Sequence, residues 1–245
     1  MVWWGVRARV LSVLLAASSL AALGGLAAVG FQRGWYRLNH PDQARYPVWG
    51  IDVSRHQGRI DWAAVVAAEP RLRFAYIKAT EGGDWKDPRF DENWRAARAA
   101  GLRVGPYHFF TFCRSGDDQA RHFLSVLPRD ADTLPPAVDL EFGGNCRQPP
   151  DREVVQRELA SWLQEVERAV GRRPVVYVTE DAYRTFLEGS AHPPLWVRNV
   201  VTEPGLPPGE GWLFWQFHHR GRVAGIPAFV DLDVFHADRE ALDRL

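Results

Sequence analysis

Two carboxylates stand close together near the middle of the chain, in the stretch Pro136-Ala137-Val138-Asp139-Leu140-Glu141-Phe142. Apolar residues bracket Asp139 and Glu141, which are spaced i, i+2. A short apolar run of this kind reads as a buried strand, whose period of two turns both acids to one face. Neighbouring carboxylates repel, so one is expected to keep its proton near neutral pH while the other ionises. An acid able to protonate a leaving oxygen, beside a carboxylate able to meet developing positive charge, is the pair that glycoside hydrolysis uses. An isolated Asp-X-Glu is more often a pair of solvated acids at a strand end. The weight of this pair comes from what the rest of the chain sets around it.

Eight apolar runs are expected as strands, at residues 48–54, 74–80, 104–110, 137–142, 175–179, 195–200, 212–217 and 230–235. Helical patterns fall at 61–68, 88–100, 117–127, 151–170 and 181–187, with Gly101 and Gly171 placed as C-terminal caps. The last three strands leave no room for full helices between them. This alternation predicts an α/β fold, a modified (β/α)8 TIM-like barrel with a partly degenerate second half.

In such barrels chemistry collects at the C-terminal ends of the strands. There the chain sets Asp52 (with His56 and Gln57 following), Lys78 and Glu81, Tyr107 and His108, and Asp139 and Glu141. Tyr177, Trp196 with Arg198, Trp215 with Gln216, and Asp231 with Asp233 complete the ring. Packing alone does not explain so many polar and aromatic groups at one mouth.

Read singly, these residues differ in what they promise. Asp52 lies between Ile51 and Val53 in a buried strand, an unusual place for an acid without a task. Lys78 reads equally as a buried partner of an acid or as a catalytic group, and in either role lowers a neighbouring carboxylate's pKa. His108 alone reads as a satisfied core histidine. His56 and His108 lack metal-ligand spacing, and no cysteine cluster points to zinc, so no metal is expected. His218 and His219 are expected as solvated loop residues after the seventh strand. There is no nucleophilic serine elbow and no phosphate loop, and no organic cofactor is expected.

The totals agree with one large domain. The chain has 245 residues, with 30 Lys plus Arg against 30 Asp plus Glu, so no net charge argues for nucleic acid. Eleven tryptophans suit core packing first and stacking on sugar faces second. Arg7 and Arg9 precede a run without charge, Val10 to Phe31, long enough to span a bilayer as a helix with its N-terminus in the cytoplasm. An uncleaved anchor is expected; the rival is a signal peptide cut near Ala21 to Ala28. Residues 1–33 are thus read as anchor or signal, 34–46 as linker, and 47–245 as the domain. Either reading exports the domain, as a single-pass inner-membrane protein or as a secreted one. Cys113 follows the third strand and Cys146 the fourth, so their loops lie side by side, and in an oxidising compartment a disulfide is expected.

These pieces resemble glycoside hydrolase family 25, the Chalaropsis-type lysozymes or N-acetylmuramidases. The likeness begins at Gly50-Ile-Asp-Val-Ser-Arg-His-Gln-Gly58 and continues through Tyr76-Ile-Lys-Ala-Thr-Glu-Gly82, Asp87-Pro88 and Ala99-Ala-Gly-Leu-Arg-Val-Gly-Pro-Tyr-His-Phe109. Val138-Asp-Leu-Glu141, Trp215-Gln216 and Val230-Asp-Leu-Asp233 follow in order. The resemblance implies a modified barrel that cleaves the β-1,4 bond between N-acetylmuramic acid and N-acetylglucosamine in peptidoglycan, with no metal or cofactor. It implies Glu141 as proton donor and Asp139 as second catalytic carboxylate, either a nucleophile or the support of the substrate's own N-acetyl group. Asp52 and Asp231 correspond to two further acids of the groove. Tyr107 and Trp196 correspond to sugar contacts, and Lys78, Tyr177, Trp215 and Gln216 join them as expected binding residues. Where the family often has Asp-Leu-Asn, this chain has Asp231-Leu-Asp233, an extra acid that either raises a neighbour's pKa or faces outward.

Two other readings stay open on sequence. One is a glycan-binding barrel without turnover, against which the intact set of acids counts. The other is a hydrolase of another N-acetylated polysaccharide such as chitin. A monomer is expected.

Overall fold

A computed structural model describes the backbone at residues 2–128, 133–146, 151–207 and 211–245, and side chains from residue 17 onward within these. It divides into two compact units, Met1–Arg37 and Leu38–Leu245. The first is built on one helix, α1 (Val2–Gln32). This helix contains the apolar run expected to span a bilayer, of which residues 10–16 lie outside the described side chains. Among the described residues no helix is long and apolar enough to cross a membrane, so the expected spanning helix is not found there.

The second unit is the barrel. Its strands are β1 (Trp49–Val53), β2 (Leu72–Glu81), β3 (Trp85–Lys86), β4 (Arg103–Phe109), β5 (Ala137–Leu140), β6 (Val175–Thr179), β7 (Leu195–Arg198), β8 (Trp212–Gly221) and β9 (Val230–Phe235). Parallel pairing runs from β1 through β2, β4, β5, β6 and β7 to β8. β9 closes the ring antiparallel to both β8 and β1. β3 is a two-residue flap hydrogen-bonded to the end of β2, outside the eight strands of the barrel. The fold class expected from sequence is therefore found, as a mixed rather than all-parallel barrel.

The reversal of β9 has a local cause. Residues 222–229 join it to β8, and a parallel crossover needs a dozen residues or more. It also keeps Asp231 at the active mouth, because the start of an antiparallel strand lies level with the ends of the parallel ones.

Helices α2 (Trp62–Ala68), α3 (Phe90–Ala99), α4 (Gly116–Val126) and α5 (Arg152–Val170) follow the first four barrel strands, β1, β2, β4 and β5, in turn. In α5 the buried residues Val155, Leu159, Trp162 and Val166 recur at helical spacing, and Gly171 ends it in the left-handed conformation at φ 70°. After β6 come a single helical turn, α6 (Glu180–Ala182), and a π-helical turn (Tyr183–Leu187); α7 (Arg239–Asp243) follows β9. The residues expected as linker include buried Tyr46, whose hydroxyl donates to Glu203 Oε1 at 2.8 Å.

Period-two alternation separates two cores. Outward-facing residues such as Ile51, Ile77, Val138, Val176 and Val197 pack under the helices. Inward-facing Phe74, Tyr76, Trp196, Phe214 and Phe235 fill the barrel itself, with Tyr76 stacked on Trp196 at 4.7 Å between ring centres. Two glycines make room for these rings. A Cβ on Gly50 would stand 2.2 Å from the Phe74 ring, and one on Gly105 2.4 Å from the Tyr76 ring. The aromatic plug closes the lower barrel and leaves the upper layer to polar side chains.

Candidate active site

The strand register sets Asp52 opposite Asp231, Asp139 opposite Tyr177, Tyr177 opposite Trp196, and Arg198 opposite Gln216. Sharing the inward face, these residues gather around a cavity of about 300 Å³ above the aromatic plug. Of the residues expected at the site, Asp52, Tyr107, Asp139, Glu141, Tyr177, Trp196, Gln216 and Asp231 line it. Arg198 and His219 line it as well.

Two expected residues are placed elsewhere. Trp215 cannot share the inward face with Gln216 on a strand of period two. It packs outward between Tyr46 and Phe217, and its Nε1 donates to the Asn199 carbonyl at 2.7 Å. Lys78 has the inward orientation but turns back to Glu81, with 2.7 Å between Nζ and Oε2, and lies over the Phe109 ring at 4.6 Å. It does not line the cavity, yet its charge pulls the pKa of both Asp139 and Glu141 down.

Hydrogen bonds fix one side of the cavity. Tyr177 Oη donates to Gln216 Oε1 at 3.0 Å, and Gln216 Nε2 donates to Asp52 Oδ2 at 2.7 Å. Below them Asp233 is fully buried and accepts from Trp196 Nε1 at 2.9 Å. The extra acid of the last strand therefore faces inward. It raises the pKa of Asp52, as one of the two sequence alternatives held, although burial is the larger cause.

The β5 acids are held differently. Asp139 Oδ1 is buried and has no hydrogen-bond partner among the described residues. Glu141 is the first residue past the strand, and its Oε2 lies 3.9 Å from Arg198 Nη1. Its backbone is pinned by a residue the sequence reading passed over. Asn145 Nδ2 donates to the Glu141 carbonyl at 3.0 Å and to the Phe110 carbonyl at 2.8 Å, while its Oδ1 accepts from Phe112 N at 2.8 Å. The next residue, Cys146, forms the expected disulfide with Cys113, Cα to Cα 6.1 Å. That bridge spans 33 residues and contributes about 3–4 kcal/mol by loop closure.

Burial is the first cause of a raised pKa at Asp52, Asp139, Glu141, Asp231 and Asp233. Mutual repulsion adds to it: Glu141 acts on Asp139, Asp52 on Asp231, and Asp231 on Asp233. Arg198 opposes the rise at Glu141, Asp139 and Asp231. A carboxyl held above its usual range is a proton donor near neutral pH, and an adjoining one that ionises is a stabiliser of positive charge.

The histidines divide. His108 is a core residue as expected, with Nδ1 2.7 Å from Thr80 Oγ1, Nε2 3.1 Å from Gln119 Oε1, and burial lowering its pKa to about 3. His218 and His219 are not loop residues. β8 runs on to Gly221, burying His218 and setting His219 at the cavity. Among the described residues no cluster of His, Cys, Asp and Glu has the arrangement to hold a metal ion.

The model of glycosyl hydrolases family 25 matches residues 51–226. The chain belongs to that family. Among similar proteins is YegX of Escherichia coli strain K12, named as uncharacterized, 37% identical over 203 residues that cover 81% of this chain and 73% of YegX. Lysozyme M1 of Streptomyces globisporus is 36% identical over 212 residues, 80% of this chain and 70% of its own. In structure, a family 25 glycosyl hydrolase from Bacillus anthracis superposes with a TM-score of 0.78 at 36% identity, covering 85% of this chain and 97% of its own. The family match spans β1 to β8 and takes in Asp52, Asp139 and Glu141; Asp231 lies just beyond it.

Proposed function

We propose that this family 25 chain is a muramidase that cleaves the β-1,4 bond between N-acetylmuramic acid and N-acetylglucosamine in peptidoglycan. The observation that carries the reading is the convergence of Asp139 and Glu141 with Asp52 and Asp231 on one polar cavity at the barrel mouth. Glu141, partly exposed and with its pKa raised by burial, is the general acid that protonates the leaving oxygen and then the base that activates water. Asp139 has an unsatisfied buried oxygen aimed into the same site and receives the developing positive charge, either by bonding to the sugar or by orienting its N-acetyl group. Asp52, Asp231 and Tyr107 shape the field around the bond, and Tyr177, Gln216 and Trp196 hold that floor in place. The domain works outside the cytoplasm, which the disulfide and the apolar run at residues 10–31 support. The mass of the mature chain and its membrane fractionation decide between a retained anchor and a cleaved leader.

The test is digestion of purified peptidoglycan by residues 38–245, beside Glu141→Gln. Borohydride reduction and mass spectrometry of the products identify the sugar at each new reducing end. Reduced muramic acid that vanishes with the variant is the expected result. Reduced glucosamine ends would leave the barrel a hydrolase of the other bond. Binding without release from peptidoglycan or chitin would make it a glycan-binding module.

A further inference from the structure

Arg198 was read from sequence only as one more group at the mouth, yet its position sets it apart. It lies at the end of β7 on the inward face, and it lines two adjoining cavities. One is the acidic cavity of about 300 Å³; the other, about 360 Å³, runs past Phe142, Glu180, Asp181 and Asn199. Glu141 and Arg198 are the two residues lining both, so the guanidinium sits where the proton donor divides the groove.

The guanidinium is under-used by the protein. Its side chain is 34% exposed, and among the described residues its one ion-pair contact, to Glu141, is 3.9 Å long, beyond hydrogen-bonding distance. An arginine carries five donors in a planar fork that matches a carboxylate two bonds at a time. Elsewhere in the chain that pairing is made: Arg71 donates to both oxygens of Glu69, at 2.8 and 2.7 Å. Arg198 has no such partner. It acts on Asp139, Glu141 and Asp231 through space, lowering the pKa of each, and of these acids the ion pair formed is the long one to Glu141. His219 beside it is held toward neutrality, by burial and then by the Arg198 charge itself. A cation about one-third exposed, with unfilled donors, thus faces the cavity.

We propose that Arg198 is the docking point for a carboxylate carried by the substrate, and that this contact selects muramic-acid glycan over uncharged N-acetylated polysaccharide. The inference rests on the function proposed above and names the feature of the substrate that the site reads. Chitin-type chains carry no carboxylate. Muramic-acid glycan carries one on its lactyl ether where the peptide has been removed, and on the stem peptide where it has not. No bond is made or broken in this step; the guanidinium donates two N–H groups to the two carboxylate oxygens.

The experiment measures binding rather than turnover, so that it stands apart from the digestion test. Isothermal titration of residues 38–245 uses three disaccharides of N-acetylglucosamine linked to N-acetylmuramic acid: the free lactyl acid, its methyl ester, and the lactyl-linked dipeptide with its own carboxylate left free. The wild type is expected to bind at least one anionic form about tenfold or more tighter than the ester. The form preferred identifies the source of the carboxylate. In Arg198→Gln the ratio should fall to near one with ester binding retained, and Arg198→Lys, which keeps the charge without the fork, should restore part of it. If Arg198→Gln binds nothing because it misfolds, Arg198→Lys decides alone by showing a reduced ratio at unchanged ester affinity. A wild type that binds all three disaccharides alike, or none of them, overturns the proposal. So does an Arg198→Gln or Arg198→Lys that keeps the full wild-type ratio. Peptidoglycan that goes undigested while the charge preference stands would instead remove the hydrolase reading and leave the carboxylate site.

Discussion

The five acids of the mouth form two groups built on opposite terms. Asp52, Asp231 and Asp233 stand on β1 and β9, strands paired directly to each other. Within this group Asp52 is engaged by Gln216 and Asp233 Oδ1 by Trp196, while Asp233 Oδ2, below the cavity, has no partner among the described residues. Asp139 and Glu141 stand on and just beyond β5, where one oxygen of Asp139 has no partner and Glu141 has only the distant Arg198. A buried polar group left unsatisfied costs free energy, about 1–3 kcal/mol, unless a ligand satisfies it. At the cavity itself the first group is thus a wall braced by Gln216, and the second is held in readiness for substrate. The backbone reflects the same division, since the loop beyond β5 is fastened by Asn145 and the disulfide while its acid side chains are not.

The sharpest way to break this comparison is to neutralise one acid from each group. Glu141→Gln removes a transferable proton, and kcat on peptidoglycan should fall about 10³-fold, the usual share of general acid–base catalysis. Its melting temperature should hold or rise, because the lost group is one whose charge burial disfavours. Asp139→Asn should cost about 10²-fold or more in kcat, the scale of losing one electrostatic stabiliser. Asp52→Asn should cost about tenfold, since an asparagine oxygen still accepts from Gln216. Steady-state kinetics on one peptidoglycan preparation gives all three. An Asp52→Asn loss equal to that of Glu141→Gln would erase the distinction between wall and working pair.

Removing the support instead of the acid sharpens the comparison further. Gln216→Leu deprives Asp52 of its donor and the Tyr177 hydroxyl of its acceptor. Stability should fall by about 1–3 kcal/mol, read from urea unfolding. Activity should fall about as far as in Asp52→Asn, with KM little changed because both groups belong to the wall.

Much of this arrangement could be read before any coordinates. Asp139 and Glu141 announce themselves because apolar neighbours leave the acids no ordinary reason to be there, and the strands of the first half each carry a helix behind them. Trp215 could not be placed by treating Trp215-Gln216 as a unit, since adjacent residues on a strand must face opposite ways. Gln216 took the interior, and Trp215 went to the outer core. The direction of β9 was not legible, because a seventh strand ending at 217 leaves twelve residues, 218–229, enough for a crossover. The extension of β8 through His218 and His219 was not legible either, because polar histidines at a strand end carry the same composition as a loop. Asn145 was invisible for another reason. Two of the backbone groups it satisfies, at Phe110 and Phe112, lie more than thirty residues away, and no local pattern reports that.

Asp233 offers the smallest effect and the finest distinction. It is buried beneath Asp52, and burial and then the Asp231 charge raise its pKa, so the folded chain favours its protonated form. A folded-state pKa above the unfolded value means that the folded chain binds this proton more tightly. The stability it brings is present below the unfolded carboxylate pKa near 4 and is lost as pH rises toward the folded pKa. Asn in place of Asp233 keeps an acceptor for Trp196 Nε1, offers Asp52 an N–H donor, and cannot ionise. Asp233→Asn should therefore match the wild type near pH 4 and melt higher as pH rises toward 8, by roughly 2–4 °C for each kcal/mol recovered. Its kcat should change less than about threefold, as for a group one layer below the cavity. A melting difference that shrinks as pH rises would mean that Asp233 is ionised and paired in the folded chain, and that the wall is held by charge instead of by a neutral carboxyl.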